Sequence, residues 1–158
     1  MDIERITFFV TKFRNAIDEA VRNGETSPWL YMAFFDKFPL GCCGLTSDML
    51  AEYLLENGIK TKYVSGIAYE DVDWDYDHSN RSHAWLLYDD TVIIDITGDQ
   101  FKYSEHFYFN DDRVYVGNGN KFYDLFKYNE KRDVHDIHPL ALGTDEQRIY
   151  RIIMKYIR

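Results

Sequence analysis

The sequence predicts an α+β fold, with helices packed on one antiparallel sheet. Near both ends of the chain, apolar residues recur every three or four positions, as they do on the buried face of an amphipathic helix. Between these ends, short apolar runs alternate with turn residues, as they do in antiparallel strands. Helices therefore come first, strands follow, and one helix closes the chain, which is the order typical of α+β proteins.

Length and composition predict a single domain over residues 1–158. Of these 158 residues, 46% are hydrophobic and 17% are aromatic. A chain of this length and composition can bury a core without disulfides or structural metal ions.

Two helices are predicted before residue 40. The first spans residues 3–21, where Asp2 can cap its start and Gly24 lies just past its end. Its buried face would carry Ile3, Ile6, Val10, Phe13, Ile17 and Val21. The second helix is short, opens at Ser27–Pro28 and ends before Pro39. Its inward side chains would be Trp29, Met32 and Phe35.

A glycine-flanked turn, Leu40–Gly44, leads into a third helix that reaches about Asn57, with Gly58 as its stop signal. The buried stripe of this helix would be Met49, Leu50, Tyr53 and Leu54. The turn contains two adjacent cysteines, so one of them stands at the N-terminal end of a core helix.

The remaining elements are strands and a closing helix. Strands are expected over 63–68, 82–88 and 91–97, and a further hairpin over 105–109 and 113–116. Thr144 and Gln147 form a capping box that opens the closing helix. The apolar face of that helix would be Ile149, Ile152, Ile153, Tyr156 and Ile157.

The charge balance bears on compartment and partners. The net charge is −9, which argues against nucleic acid as a partner because phosphate contacts need clustered Lys and Arg. No run of eighteen apolar residues and no signal peptide is evident, so we expect a cytoplasmic chain with no membrane partner. Cys42 and Cys43 are too close for an unstrained disulfide, and two free thiols fit a reducing compartment.

The most informative pattern for function is the order Cys43, His83, Asp95. A thiol is a good nucleophile only as thiolate, and a helix N-terminus and a histidine both favour that form. An acid inside the apolar run 92–96 is costly unless it is paired, and His83 is its natural partner. The three residues therefore predict a nucleophile, its base and the group that orients the base.

Alternatives remain open at each position. Cys42 is the runner-up nucleophile, although Cys43 directly adjoins Gly44 and the helix. Asp99 could orient the histidine in place of Asp95, but a role in the turn is the preferred interpretation. Gln100 could donate a hydrogen bond to the site or only cap that turn. Trp85, two residues after the histidine, would shield the pair from water.

Strand geometry gives a condition for the His83–Asp95 pair. A two-residue turn at Asp89–Asp90 would pair Tyr88 with Thr91 and place the two side chains on opposite faces of the sheet. A three-residue loop over Tyr88–Asp90 would instead set His83 directly across from Asp95. We therefore predict an odd-numbered loop or a bulge.

The sequence gives little support for metal or cofactor binding, and we expect neither. Alternating acids at Asp71, Asp73, Asp75 and Asp77 resemble a calcium loop, but Tyr76 and Ser82 stand where that loop needs Gly and Glu. A His-x-x-His cluster at His135 and His138 is a weak metal signal and more typical of a solvated surface.

Three stretches together resemble the transglutaminase-like branch of the papain-like cysteine enzymes: Phe38–Ser47, the Ser-His-Ala-Trp run at 82–85, and Asp95-Ile-Thr. In that superfamily Cys, His and Asp occur in this order, with the Cys opening a core helix and the His and Asp on adjacent antiparallel strands. The resemblance covers about residues 38–101. It implies a papain-like fold and a thiol enzyme that cleaves or transfers at an amide.

Three functions follow as hypotheses. The first is a cysteine hydrolase of peptidase, amidase or deamidase type, in which Cys43 forms a thioester with a protein or peptide substrate. The second keeps that thioester but passes it to an amine, as in a transglutaminase or another acyltransferase. The third is a binding module with a degenerate site, since a fold does not by itself imply catalysis.

Overall fold

A computed structural model of the chain shows helices and a five-stranded antiparallel sheet, so the predicted α+β class is confirmed. The structure describes residues 2–26, 34–68, 82–102, 110–133 and 145–158, and for 128–133 it describes the backbone alone. Within these ranges, no helix has the length and apolar character that crossing a membrane requires.

The elements follow the predicted order. The helices are α1 Ile3–Arg22, α2 Phe34–Lys37, α3 Cys43–Glu56 and α4 Asp145–Met154. The strands are β1 Lys62–Ala68, β2 Ser82–Tyr88, β3 Val92–Asp95, β4 Tyr115–Gly117 and β5 Phe126–Asp133. Two short 3-10 helices, Gly98–Phe101 and Tyr123–Leu125, lie between strands.

Helix ends fall where the sequence places them. The side chain of Asp2 accepts a hydrogen bond from the backbone N–H of Glu4 at 2.9 Å, which satisfies one of the free donors at the start of α1. Gly24 and Gly58, just beyond α1 and α3, have φ values of 75° and 79°. Glycine adopts this left-handed conformation without the steric cost that other residues incur, so both helices stop there.

The sheet has the strand order β4-β3-β2-β1-β5, and every neighbouring pair is antiparallel. The strand β5 at one edge was not predicted, because its sequence Phe-Lys-Tyr-Asn-Glu-Lys-Arg-Asp is mostly charged and lacks β-branched residues. Such a composition suits an edge strand, where charge opposes pairing with another chain.

The two faces of the sheet carry two separate apolar clusters. One face packs against the helices, and its core includes Phe13 and Leu54 from the helices with Leu86 and Ile94 from the sheet. The opposite face holds a smaller and mostly aromatic cluster, made of Val64, Ala68, Trp85, Leu87, Ile93, Phe101, Phe122, Tyr123 and Phe126. Because side chains alternate along a strand, His83 lies on the same face as Trp85.

Two predicted strands need correction. The strand expected over 91–97 ends at Asp95, because the chain bends at Ile96 and enters the Gly98–Phe101 helix. The expected arm at 113–116 forms as β4 but pairs with β3. Its predicted partner at 105–109 lies outside the described residues. The start of the second helix, with Trp29 and Met32, and Thr144 of the capping box also lie outside them.

A buried arginine joins α1 to the sheet. The Arg14 side chain is only 4% exposed and sits among apolar residues of α1. Its guanidinium binds the Asp99 carboxylate through two nitrogens, at 2.9 and 2.7 Å, and donates to the Ile96 carbonyl at 2.6 Å. It also bonds Asp18 on its own helix, at 3.0 Å. Arg14 therefore fixes the chain just beyond β3 against α1.

Replacing Arg14 by methionine tests this attachment. Arg14→Met keeps the aliphatic length but leaves Asp99 and the Ile96 carbonyl without their donor, and removing one partner of a buried ion pair costs about 3–5 kcal/mol. We expect a loss of that size in the free energy of unfolding, measured by urea denaturation. Arg22→Met, at the exposed end of α1, is the matched control and should cost less than about 1 kcal/mol. Equal losses in the two variants would contradict the assignment.

Candidate active site

Cys43 is the first residue of α3, as the sequence predicts. The preceding turn passes through Gly41 at φ 67°, and the Cys42 N–H donates to the Pro39 carbonyl at 3.2 Å. Cys43 is partly exposed. Its thiol thus stands at the positive end of a helix dipole, on a surface that solvent reaches.

Cys42 has a different environment. It is 3% exposed, and its thiol donates to the backbone carbonyls of Leu40 and Phe34, with sulfur–oxygen distances of 3.4 and 3.7 Å. Burial is the main cause that raises the pKa of Cys42 to about 12. Both cysteines are free. Of the two, Cys43 has the environment of a nucleophile, and Cys42 that of a core residue.

The β2–β3 connection meets the condition that the sequence sets. The paired residues are Leu86 with Ile94, Leu87 with Ile93 and Tyr88 with Val92. The loop is therefore Asp89–Thr91, an odd number of residues, with φ values of 54° and 57° at Asp89 and Asp90. The predicted odd loop is confirmed. The predicted position of the loop at Tyr88–Asp90 is wrong by one residue. Tyr88 still pairs with Val92, and Thr91 joins the two turn residues of positive φ as the third residue of the loop.

This register brings the histidine and the acid together on one face. If the strand pairing continues by one residue, Asp95 lies opposite Trp85. His83 is then the diagonal neighbour of Asp95 and not the residue directly across from it. The Nε2 atom of His83 lies 2.7 Å from Oδ2 of Asp95. Both side chains are almost fully buried, at 0% and 1% exposed. Asp95, rather than Asp99, is thus the acid that contacts the histidine.

Asp95 has further donors. The Thr97 N–H donates to its Oδ1 at 2.9 Å, and the Tyr123 hydroxyl donates to its Oδ2 at 2.9 Å. A buried carboxylate is tolerated when such donors replace water. Tyr123 was not predicted as a site residue, because it lies 28 residues away from Asp95 within an aromatic run typical of ordinary core.

Aromatic rings enclose His83 on the second face of the sheet. The ring of Trp85, which is 0% exposed, lies 5.5 Å from the imidazole, in agreement with the predicted shielding role. The other rings belong to Phe101, Phe122 and Phe126, and their centres lie between 5.1 and 5.9 Å from the centre of the imidazole. These rings keep water from that side of the imidazole and strengthen its interaction with the carboxylate.

The turn after β3 brings Gln100 to the site and turns Asp99 away from it. The Nε2 atom of Gln100 lies 3.0 Å from Nδ1 of His83, and its Oε1 accepts from the Gly41 N–H at 3.3 Å. Asp99 pairs with Arg14 instead. Asp99 therefore lies in the turn and away from His83, whereas Gln100 contacts His83.

The pKa values of the three groups shift in a consistent way. Burial alone would raise the pKa of the Cys43 thiol, but the hydrogen bond and charge of His83 outweigh it and lower that pKa. Burial would lower the pKa of His83, whereas Asp95 and then Cys43 raise it to about 10. Burial likewise opposes ionisation of Asp95, but His83, the Thr97 N–H and the Tyr123 hydroxyl lower its pKa. At neutral pH these shifts favour thiolate, imidazolium and carboxylate.

Among the residues that the structure describes, no group of three His, Cys, Asp or Glu side chains could hold a metal ion. The acidic residues at 71–77 and the His135–His138 cluster lie outside the described ranges.

Comparison of the chain with protein-family models, with curated proteins and with solved structures found no match.

The difference between the two cysteines can be tested by alkylation. With a pKa of about 12, only about one Cys42 thiol in 10⁵ is ionised at pH 7, and the group is buried. We expect iodoacetamide at neutral pH to label Cys43 at least about 100-fold faster, as located by mass spectrometry. Cys42→Ala should leave the labelling rate unchanged, and Cys43→Ala should abolish it. Preferential labelling of Cys42 would contradict this assignment.

The Tyr123–Asp95 hydrogen bond can be tested by Tyr123→Phe. A hydrogen bond to a charged group contributes about 1.5–3 kcal/mol, and we expect a loss of that size in the free energy of unfolding. Tyr88→Phe is the matched control, because Tyr88 lies at the end of β2 that is far from His83. We expect it to change the free energy of unfolding by no more than about 0.5 kcal/mol. If both variants unfold at the same urea concentration as the wild type, the hydroxyl does not stabilise Asp95.

Proposed function

We propose that this chain is a cysteine hydrolase of peptidase, amidase or deamidase type, with the fold of the transglutaminase-like branch of the papain-like enzymes. The observation that carries the proposal is the set of Cys43, His83 and Asp95: a partly exposed thiol, a buried imidazole that lowers the pKa of this thiol, and a buried carboxylate 2.7 Å from that imidazole. Thiol, base and orienting acid in this geometry are the requirements of acyl transfer through a thioester.

Each residue has a defined role in the proposed reaction. The thiolate of Cys43 attacks the substrate's amide carbonyl, and the resulting tetrahedral intermediate collapses as His83 gives its proton to the leaving amine. His83 then takes a proton from the attacking water, and Cys43 leaves as thiolate. Asp95 accepts from Nε2 of His83, which directs the Nδ1 side of the ring towards Cys43. General acid–base transfer of this kind contributes about 10²–10⁴-fold in rate.

The environment of the residues supports catalysis over a binding module. Three buried or partly buried ionisable groups are costly to keep without use, and all three have pKa values shifted towards their reactive forms. Because Cys43 and Gln100 are partly exposed, water can reach a thioester formed at Cys43, as hydrolysis requires.

The pH dependence of alkylation tests the proposed nucleophile. In the wild type, the rate of Cys43 alkylation by iodoacetamide should persist well below the ordinary thiol pKa of 9.0, because His83 lowers the pKa of this thiol. Without the histidine, burial raises that pKa, so His83→Ala should lose at least about tenfold in rate at pH 7. Asp95→Asn should lose less, and Asp111→Asn, an exposed control, should match the wild type. A pH profile that is the same in His83→Ala and wild type would disprove the pairing.

The fate of the thioester distinguishes hydrolysis from acyl transfer. p-Nitrophenyl acetate should acetylate Cys43 with release of p-nitrophenolate, and intact mass measured over time should show the acetyl group lost to water. Faster loss with a simple primary amine present, together with the acetylated amine as product, would assign acyl transfer instead. Cys43→Ala is the control for acetylation elsewhere.

A further inference from the structure

We propose that the Gln100 carboxamide is a catalytic residue of this site, which donates a hydrogen bond to the substrate's carbonyl oxygen as that oxygen becomes negatively charged. This inference rests on the proposed function and adds the group that stabilises its transition state. Stabilisation of a developing oxyanion is commonly the largest single contribution to such catalysis.

The orientation of the carboxamide is fixed by a backbone donor. The Gly41 N–H points at the Gln100 side chain and can only donate, so the end that faces it must be the oxygen, at 3.3 Å. The amide nitrogen is therefore the end that lies 3.0 Å from Nδ1 of His83. Hydrogen bonding from the Gln100 side chain is also one of the causes that lower the pKa of the Cys43 thiol.

Exposure selects the groups that a substrate can contact. His83 and Asp95 are 0% and 1% exposed, whereas Cys43 and Gln100 are both partly exposed. Of these four side chains, the thiol and the carboxamide are thus the two that an incoming carbonyl group meets. An oxygen whose carbon is attacked by Sγ would then lie within reach of the amide N–H groups.

The protonation state of His83 determines what the amide nitrogen binds. In a neutral imidazole, Nδ1 can accept a hydrogen bond from the Gln100 amide. In an imidazolium, Nδ1–H is itself a donor and donates to the thiolate instead. The Gln100 amide N–H groups then also donate to the thiolate. As Sγ forms its bond to the carbonyl carbon, the π electron pair moves to the oxygen, and the negative charge moves from sulfur to oxygen. The same donor can follow that charge.

The carboxamide is held in place before the reaction. Gln100 belongs to the Gly98–Phe101 helix, and the neighbouring Asp99 is fixed by two hydrogen bonds from the buried Arg14. The same guanidinium lies 4.8 Å from the ring centre of Phe38, just before the cysteine turn. Arg14 therefore holds both chain segments that meet at the Gly41–Gln100 hydrogen bond. A donor fixed in this way needs no reorganisation as charge develops.

Two electrophiles that the same sulfur attacks in different ways provide the test. Alkylation by iodoacetamide forms the S–C bond and expels iodide without any oxyanion. Acetylation by p-nitrophenyl acetate forms a tetrahedral oxyanion, which collapses as the C–O bond breaks and p-nitrophenolate leaves. The rate of each would be measured on the pH plateau, where the thiol is fully ionised, for the wild type, Gln100→Ala and Gln100→Glu. Gln147→Ala, at the other glutamine of the chain, is the matched control.

We expect Gln100→Ala to reduce the ratio of acetylation to alkylation by about 10²–10³-fold, which is the effect of losing one oxyanion donor. Gln100→Glu should reduce the ratio at least as much, because a carboxylate repels the oxyanion, and Gln147→Ala should leave it unchanged. Equal ratios in the wild type and Gln100→Ala would overturn the inference. That outcome is separate from failure of the proposed function, in which the alkylation rate itself would not depend on His83.

Discussion

The buried ion pair between His83 and Asp95 is the interaction on which the rest of the site depends. Moving two charges out of water costs several kcal/mol per ion unless close contact and further hydrogen bonds replace hydration. Here the Asp95 carboxylate accepts hydrogen bonds from the Thr97 N–H and the Tyr123 hydroxyl, in addition to the one from the imidazole. The aromatic cluster on the second face of the sheet surrounds the pair, so a low-dielectric environment strengthens it.

The imidazole of this pair interacts with Gln100 and with the first residue of α3. The imidazole uses Nε2 for Asp95, and its Nδ1 lies 3.0 Å from Nε2 of Gln100. The hydrogen bond and charge of His83 also lower the pKa of Cys43. Because the carboxylate stabilises the imidazolium, the imidazolium can in turn stabilise the thiolate, although burial alone would keep the thiol protonated. In the proposed mechanism, the sheet holds the acid and the base in register, and α3 brings the nucleophile to the base.

Local signals in the sequence predicted the parts of this arrangement that local interactions determine. Caps and glycines predicted α1 and α3, and the alternation of strand side chains correctly required an odd-numbered loop between His83 and Asp95. The residues that were missed depend on partners far along the chain. Arg14 meets Asp99 across 85 positions, and Tyr123 meets Asp95 across 28, so neither pattern is visible before folding. Arg14 did carry one signal, since it stands within the apolar stripe of α1.

The charge state of His83 at neutral pH is the central claim, and NMR of the imidazole nitrogens measures it directly. In the wild type we expect both ring nitrogens to be protonated at pH 7, because Asp95 and the Cys43 thiolate stabilise the imidazolium. Deprotonation should occur only on titration towards about pH 10. A neutral His83 ring at pH 7, with its transition near the ordinary histidine pKa of 6.5, would contradict a thiolate–imidazolium pair and the mechanism built on it.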